Sequence, residues 1–329
     1  MKKKILFLSS YRSSFVLNDI AILRKFTKLS TINVTTGSSI MSLIFLGCKI
    51  FFGVLKHDII YCWFAEKPAF IAVFFAQILK KKSFVVVGGY EAAELPQINY
   101  GGLLDKKVKK KINYIIKHAD LTLAVSRSSL REIEANFSPK HLMLLYNGVD
   151  VEKYYPKGEK ENIAITVGSV TKDNLKRKGL ETFIRAAAFI PKIEFVLIGD
   201  ISEVTGNYLR SIASKNVTLT GRIPDSELLS YLQKARVYVQ ISAHEGFGIA
   251  LAEAMLCECV PVVTANGALP EVAGVNAFYV PEKEPRKTAK AIKNAMNYKT
   301  KKQFREHILR NFSLTKREEI LREVIGNSS

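Results

Sequence analysis

Acidic residues are scarce in this chain. Thirty Asp and Glu face 49 Lys and Arg over 329 residues, a formal charge of +19. A surface of that sign either attracts an anionic partner (a phosphorylated small molecule, a membrane surface or nucleic acid) or is simply solvated. Cysteine is scarce too. Cys48, Cys62, Cys257 and Cys259 have no metal-ligand spacing and no histidine cluster beside them. That excludes a structural zinc site, and reduced thiols in a cytoplasmic protein are expected. Long apolar runs are missing. The longest, residues 40–55, carries Lys49 and falls short of the ~20 residues a membrane span needs. A buried or surface-lying helix is expected there. Lys2–Lys4 precede only a short apolar-biased stretch, so no secretory signal is predicted.

Several motifs are absent as well. Nothing matches Gly-x4-Gly-Lys-Ser/Thr, and no Gly-x-Gly-x-x-Gly follows the first strand, which sets aside a P-loop NTPase and a nicotinamide enzyme. No Asp-x-Asp offers a metal–nucleotide site; Asp150-Val151-Glu152 comes nearest, in a turn. With few histidines and no nucleophile elbow, no Ser-His-Asp arrangement can be assembled. No metal is expected.

What is present is a regular alternation of short apolar, β-branched runs with helical patterns. Strands are expected at 5–9, 32–35, 59–64, 84–87, 121–125 and 141–146, with helices between them. A polar stretch at 152–162 with Pro156 and Gly158 has linker composition. The pattern then restarts, with strands at 163–167, 194–198, 217–220, 237–241 and 260–264 and three basic helical segments after Pro285. Continuous apolar strands alternating with helices argue parallel sheets covered on both faces. The expected fold is α/β: two doubly wound, Rossmann-like domains, 1–150 and 151–329, facing a cleft, with the last helices packing back on the first domain. The charge is uneven: residues 1–155 hold 23 basic and 11 acidic side chains.

Ligands of such sheets collect beyond the C-terminal strand ends. In the second half those ends carry Gly168-Ser169, Gly199-Asp200, Gly221-Arg222 and Gly246-Phe247-Gly248, the last running into a helix from Ile249. Glycines at a helix start admit a ligand close to backbone, and the free N–H groups favour an anion. The basic loop 172–178, with Lys176, Arg177 and Lys178, supplies cations near the same rim and suits a diphosphate. Glu253 sits eight residues after Glu245, and its neighbours on one helical face are Ile249, Ala250, Leu256 and Cys257. A half-buried carboxylate there needs donors. Ligand hydroxyls would serve, and so would a backbone N–H or a lysine.

Glu245-Gly-Phe-Gly-Ile-Ala-Leu-Ala-Glu253 resembles the Glu-x7-Glu motif of the retaining GT-B glycosyltransferases of the large group 1 family. Asp120–Ser126, Tyr146-Asn-Gly-Val-Asp150, Arg177-Lys178-Gly179-Leu180 and Gly267-Ala-Leu-Pro-Glu271 resemble further family elements in the same order, strongly over residues 119–275. The resemblance implies metal-independent, retaining transfer of a sugar from a nucleotide sugar to a saccharide or lipid-linked acceptor. The first domain would take the acceptor. Glu253 would bind the ribose diol and Glu245 the donor sugar. Backbone at Gly246, Phe247, Gly248 and Ile249 would meet sugar and phosphate, Lys178 and Arg177 the diphosphate, and Arg222 would lie near the base. Departures from the pattern are Ser169 where relatives carry arginine, Gly88-Gly89-Tyr90-Glu91 where many carry a histidine, a first loop 10–14 without paired glycines, and Cys257-Glu258-Cys259 without the usual glycine.

The basic first half and the apolar 40–55 segment would suit an anionic membrane surface at the inner face. Two alternatives stand beside this reading. One is a homologue that binds donor without transferring, motivated by Ser169 and the absent histidine. The other is a nucleic-acid-binding protein, motivated by charge alone and lacking interleaved aromatics.

Overall fold

The computed structural model describes residues 2–34 and 40–327. The chain divides into two compact units, residues 1–148 with 314–329, and residues 149–313. The division falls two residues before the expected boundary. The second unit stops at Ser313, and the segment from Leu314, part of the tail expected to pack back on the first domain, clusters with the first unit.

The first unit begins with β1 (Lys4–Ser9), α1 (Ser14–Phe26), β2 (Lys28–Asn33), α2 (Ile40–Lys56), β3 (Ile59–Trp63) and α3 (Lys67–Ile78). It continues with β4 (Lys82–Val87), α4 (Lys106–His118), β5 (Leu121–Ala124), α5 (Arg127–Asn136) and β6 (Leu142–Leu144). The strands are parallel in the order β2-β1-β3-β4-β5-β6. Strands β3 and β4 are buried along nearly their whole length, as a sheet covered on both faces requires. Ser126 caps α5, its hydroxyl accepting from the Ser129 N–H at 3.0 Å, the use to which serine is commonly put at a helix start. The strand expected at 32–35 instead spans Lys28–Asn33, and Thr35 lies outside the described residues.

The second unit runs β7 (Glu161–Val167), α6 (Lys172–Arg177), α7 (Leu180–Ala187), β8 (Glu194–Ile198), α8 (Glu203–Ile212), β9 (Val217–Gly221) and α9 (Asp225–Lys234). Then follow β10 (Ala235–Gln240), α10 (Ile249–Leu256), β11 (Val260–Val263), α11 (Leu269–Ala273), β12 (Phe278–Tyr279), α12 (Pro285–Met296) and α13 (Lys302–Asn311). Its strands are parallel in the order β12-β11-β10-β7-β8-β9. The stretch 172–178, expected as a loop, is largely the helix α6: the Thr171 hydroxyl accepts from the Asn174 N–H at 3.3 Å and starts it.

The last helix, α14 (Leu314–Gly326), belongs to the first unit. Arg317 anchors it. Its guanidinium donates to both oxygens of Asp19 at 2.5 and 2.8 Å and to the carbonyls of Leu145 and Tyr146. Tyr61 and Trp63 also donate to Asp19. Both charges are essentially out of water, and such a pair holds because each partner is saturated with hydrogen bonds. Among the described residues, no helix is long and apolar enough to cross a membrane.

Candidate active site

Strand order reverses where β7 has β8 on one side and β10 on the other, and the crevice beyond that point is where a doubly wound sheet takes its ligand. The segments leaving these strands carry most of the expected residues. After β7 come Gly168 and the half-buried Ser169; after β10 comes the loop 241–248 leading into α10. Lys178 ends α6 and lies across Gly168, where a Cβ would stand 2.6 Å from the lysine Cδ. Glycine at 168 therefore makes room for that side chain.

The Lys178 ammonium is 3.2 Å from Glu245 Oε1, and Arg177 Nη1 is 3.6 Å from the same oxygen. The Ser242 hydroxyl donates to it at 2.9 Å. Arg177 is steadied by Asn174, which accepts from its Nε and Nη2 at 3.2 and 2.8 Å. The Ala243 N–H donates to the Arg177 carbonyl at 2.7 Å, tying α6 to the loop after β10. Behind the loop, Gly267 has φ 56°, and a Cβ there would fall 2.5 Å from the Glu245 carbonyl oxygen. Burial alone would push the Glu245 carboxyl up; Lys178, Arg177 and Ser242 outweigh it and hold the group at about 2.

Glu253, about one turn along α10, has a different setting. The helix buries Leu251, Ala252, Ala254, Met255 and Leu256, and the carboxyl emerges half-buried. Burial pushes it up to about 7, against a hydrogen bond from Tyr154 and the nearby charge of Lys153, with Asp225 adding to the rise. The fully buried Tyr238 feels both carboxylates. Gly248 caps α10 with φ 100°. Phe247 turns its ring into the core against Phe312, at 5.4 Å between centroids, so only its backbone faces the rim.

The structure thus brings Lys178, Arg177 and Glu245 together, with Ser169 and Gly246–Ile249 around them. It does not bring Arg222 into the cluster. That side chain is 84% exposed, 4.0 Å from Asp200 on the far side of β8. Sequence reasoning missed Ser242 and Tyr154. The signal for Tyr154 was an aromatic pair, Tyr154-Tyr155, inside a segment otherwise polar enough to read as a linker. Among the described residues, no three His, Cys, Asp or Glu side chains converge as a metal-ligand set.

The first unit has a site of its own. Its strand order reverses between β1 and β3. A cavity of 620 Å³ opens beyond these strands, lined by Tyr11, Phe64, Glu66, Tyr90, Glu91 and Lys111 among others. Glu91 is 3% exposed and accepts the N–H groups of Ala65 at 3.2 Å and Gly88 at 3.2 and 3.3 Å. Burial raises its carboxyl to about 7, despite those amides.

Two parallel-sheet units, the second with an anion-ready helix start beside a lysine, define a Rossmann-like protein of the GT-B class. A crystal structure of Anabaena HepE in complex with UDP and glucose superposes with a TM-score of 0.81 at 17% identity, covering 99% of this chain and 100% of that one. Residues 161–297 match the model of the family "Glycosyl transferases group 1". Over that stretch the chain is similar to that family. Among curated relatives, a phosphatidylinositol N-acetylglucosaminyltransferase subunit from Arabidopsis thaliana is 25% identical over 199 residues, 58% of this chain and 44% of its own length. The N-acetylgalactosamine-N,N'-diacetylbacillosaminyl-diphospho-undecaprenol 4-alpha-N-acetylgalactosaminyltransferase of Campylobacter jejuni is 26% identical over 268 residues, 72% of this chain and 70% of its own. The chain thus spans less than half the length of the plant relative.

Proposed function

We propose that this protein is a retaining glycosyltransferase that moves a sugar from a nucleotide sugar to a saccharide or lipid-linked acceptor without a metal. The observation that carries the reading is the Lys178–Glu245–Arg177 cluster at the start of α10. Two fixed cations and a helix N-terminus are what a departing nucleoside diphosphate needs where its charge develops. In the reaction, the bond from the anomeric carbon to the phosphate oxygen breaks. The acceptor oxygen bonds to that carbon on the same face, and its proton passes to the leaving phosphate. Lys178 stabilises that phosphate, Glu245 orients the donor sugar, and Glu253 takes the ribose diol. Ser169 leaves Lys178 and Arg177 to do what an additional arginine does in relatives.

The donor class accords with the UDP and UDP-glucose complexes of HepE, and the acceptor class with the diphospho-undecaprenol in the name of the Campylobacter relative. The acceptor is assigned to the 620 Å³ cavity of the first unit. Its tyrosines can stack on sugar rings, and Glu91, near neutrality in its titration, can bond a hydroxyl. A cytoplasmic setting is part of the reading.

A thermal-shift screen of nucleotide sugars identifies the donor, since a ligand of the folded state alone raises Tm. Radiolabelled transfer with and without EDTA then tests the chemistry. Transfer that persists in EDTA, with the anomeric configuration kept in the product, is expected; an inverted product or full loss in EDTA refutes the mechanism. Tight donor binding with neither transfer nor slow hydrolysis would instead identify a donor-binding homologue without activity.

A further inference from the structure

Helix α2 is apolar around most of its circumference, a pattern that ordinarily means a buried helix. It is not buried. One face, with Ile50 and Val54, packs on the sheet fully inaccessible to water. The opposite face carries Met41, Ile44, Phe45, Cys48, Phe52 and Leu55, and every one of them is exposed. Their spacing, i, i+3, i+4, i+7, i+11, i+14, is that of a single stripe on a helix. Met41 and Phe45 are 75% and 72% exposed, far beyond the scattered leucines of an ordinary surface.

The stripe continues onto α3. A row of rings runs Phe52–Phe51–Phe75–Phe74 at 5.5, 5.1 and 5.5 Å between centroids. It ends on the exposed Phe74, one turn before the exposed Ile78. Cations border the patch. Lys49 and Lys56 lie beside the stripe on α2 by helical geometry. Lys80, Lys81 and Lys82 follow Ile78 and, with Lys140 and Asp120, line a 270 Å³ cavity. Lysines 106, 107 and 110 are exposed on α4, which packs against α3.

We propose that the outward faces of α2 and α3 dock on an anionic lipid bilayer. Aromatic and aliphatic side chains would sink into the boundary between headgroups and acyl chains. The lysines would extend along that surface to the phosphates. The 17-residue α2 would lie in the interface plane, being ~25 Å long against a ~30 Å hydrocarbon core. The charge selects this occupant over a second copy of the chain, because self-association through the patch would bring its lysine border towards itself. The inference does not rest on the transfer reading.

Flotation of the full-length protein with vesicles tests it. Binding is expected to phosphatidylcholine vesicles containing roughly 40% phosphatidylglycerol, and at least ~10-fold weaker binding to pure phosphatidylcholine. Phe45→Glu with Phe52→Glu should lower the partition coefficient at least ~10-fold with an unchanged melting curve, since both side chains already face water. Lys49→Glu with Lys56→Glu should weaken binding to the anionic vesicles alone. Cys48 is the exposed thiol of the stripe, while Cys62, Cys257 and Cys259 are buried. A polarity-sensitive dye on Cys48 should therefore shift to the blue when anionic vesicles are added. No binding to either vesicle, or binding equal in the phenylalanine variant, overturns the proposal. So does a vesicle-free dimer, seen by analytical ultracentrifugation, that Phe45→Glu dissociates; it would make a second copy the occupant.

Discussion

The C-terminal rim of each sheet holds a carboxyl group shielded from water, and the two are held in opposite ways. In the second unit Glu245 has two cations and a hydroxyl on one oxygen and stays ionised down to about 2. In the first unit Glu91 is held by backbone amides, with no ion pair among the described residues, and titrates near 7. Both pay desolvation, but only a full opposite charge outweighs it. Glu245 is therefore a fixed anion that positions Lys178 and Arg177. Glu91 is a carboxyl that can present either a proton or a lone pair to a hydroxyl at neutral pH. Glu253 falls with Glu91: half-buried and pushed up to about 7, it has the Tyr154 hydroxyl and the charge of Lys153 nearby, which do not outweigh its burial.

The largest effect is expected at the fixed pair. Lys178→Ala should cut kcat by ~10²–10³-fold, the scale of removing one donor from a site of developing charge. Part of that could come from stranding Glu245, so Lys178→Ala combined with Glu245→Gln separates the causes. The double variant should recover the melting temperature and not the rate. Recovery of both would mean that the pair is structural, and Glu245 would lose its likeness to a positioning anion.

A smaller effect is expected at Glu253. If a ribose diol supplies further donors, nucleotide-sugar binding favours the carboxylate and releases a proton. Calorimetry in buffers of different ionisation enthalpy should find about one proton released at pH 6 and nearly none at pH 8, with affinity rising about tenfold per unit below 7. Glu253→Gln should abolish the release and weaken binding ~10-fold or more. Binding without proton release would leave Glu253 to Tyr154 and remove it from the donor site. Ser169→Arg should change kcat less than threefold if Lys178 and Arg177 already neutralise the diphosphate; a gain of ~10-fold or more would show the phosphate end to be incomplete.

Much of this was legible in the sequence because it is local. Strand–helix alternation, the Ser126 cap and the Gly246–Ile249 helix start are decided within a few residues. Glu253 was visible as an acid on an apolar helical face. The rest was hidden where neighbours are distant in the chain. Arg317 reads as one more basic residue of a polar tail, yet its partner Asp19 is 298 residues away. Helix α8 has Val204, Tyr208, Leu209 and Ile212 at helical spacing, but Gly206 in its middle reads as a breaker. The α6 segment looked like a charge run because its start, the Thr171 cap, is a single hydroxyl. Ser242 meets Glu245 only because the loop after β10 folds back between them.

A last measurement, of stability and not of binding or rate, separates the two titrating carboxyls from each other. Both Glu91 and Glu253 rise from an ordinary 4.5 to about 7. A folded-state pKa above the unfolded one gives stability that is fully present below 4.5 and is lost as pH rises through 7. Glu91 is the deeper of the two and its share is about 3 kcal/mol between pH 4.5 and 8. Thermal melts across that window should therefore fall with rising pH. A nucleotide sugar saturating the second unit should remove only the Glu253 share, since its hydroxyls stabilise that carboxylate. The slope that survives should vanish in Glu91→Gln, which cannot ionise. Were the nucleotide sugar alone to flatten the curve, Glu91 would be ionised at neutral pH like Glu245, and the contrast between the two rims would fail.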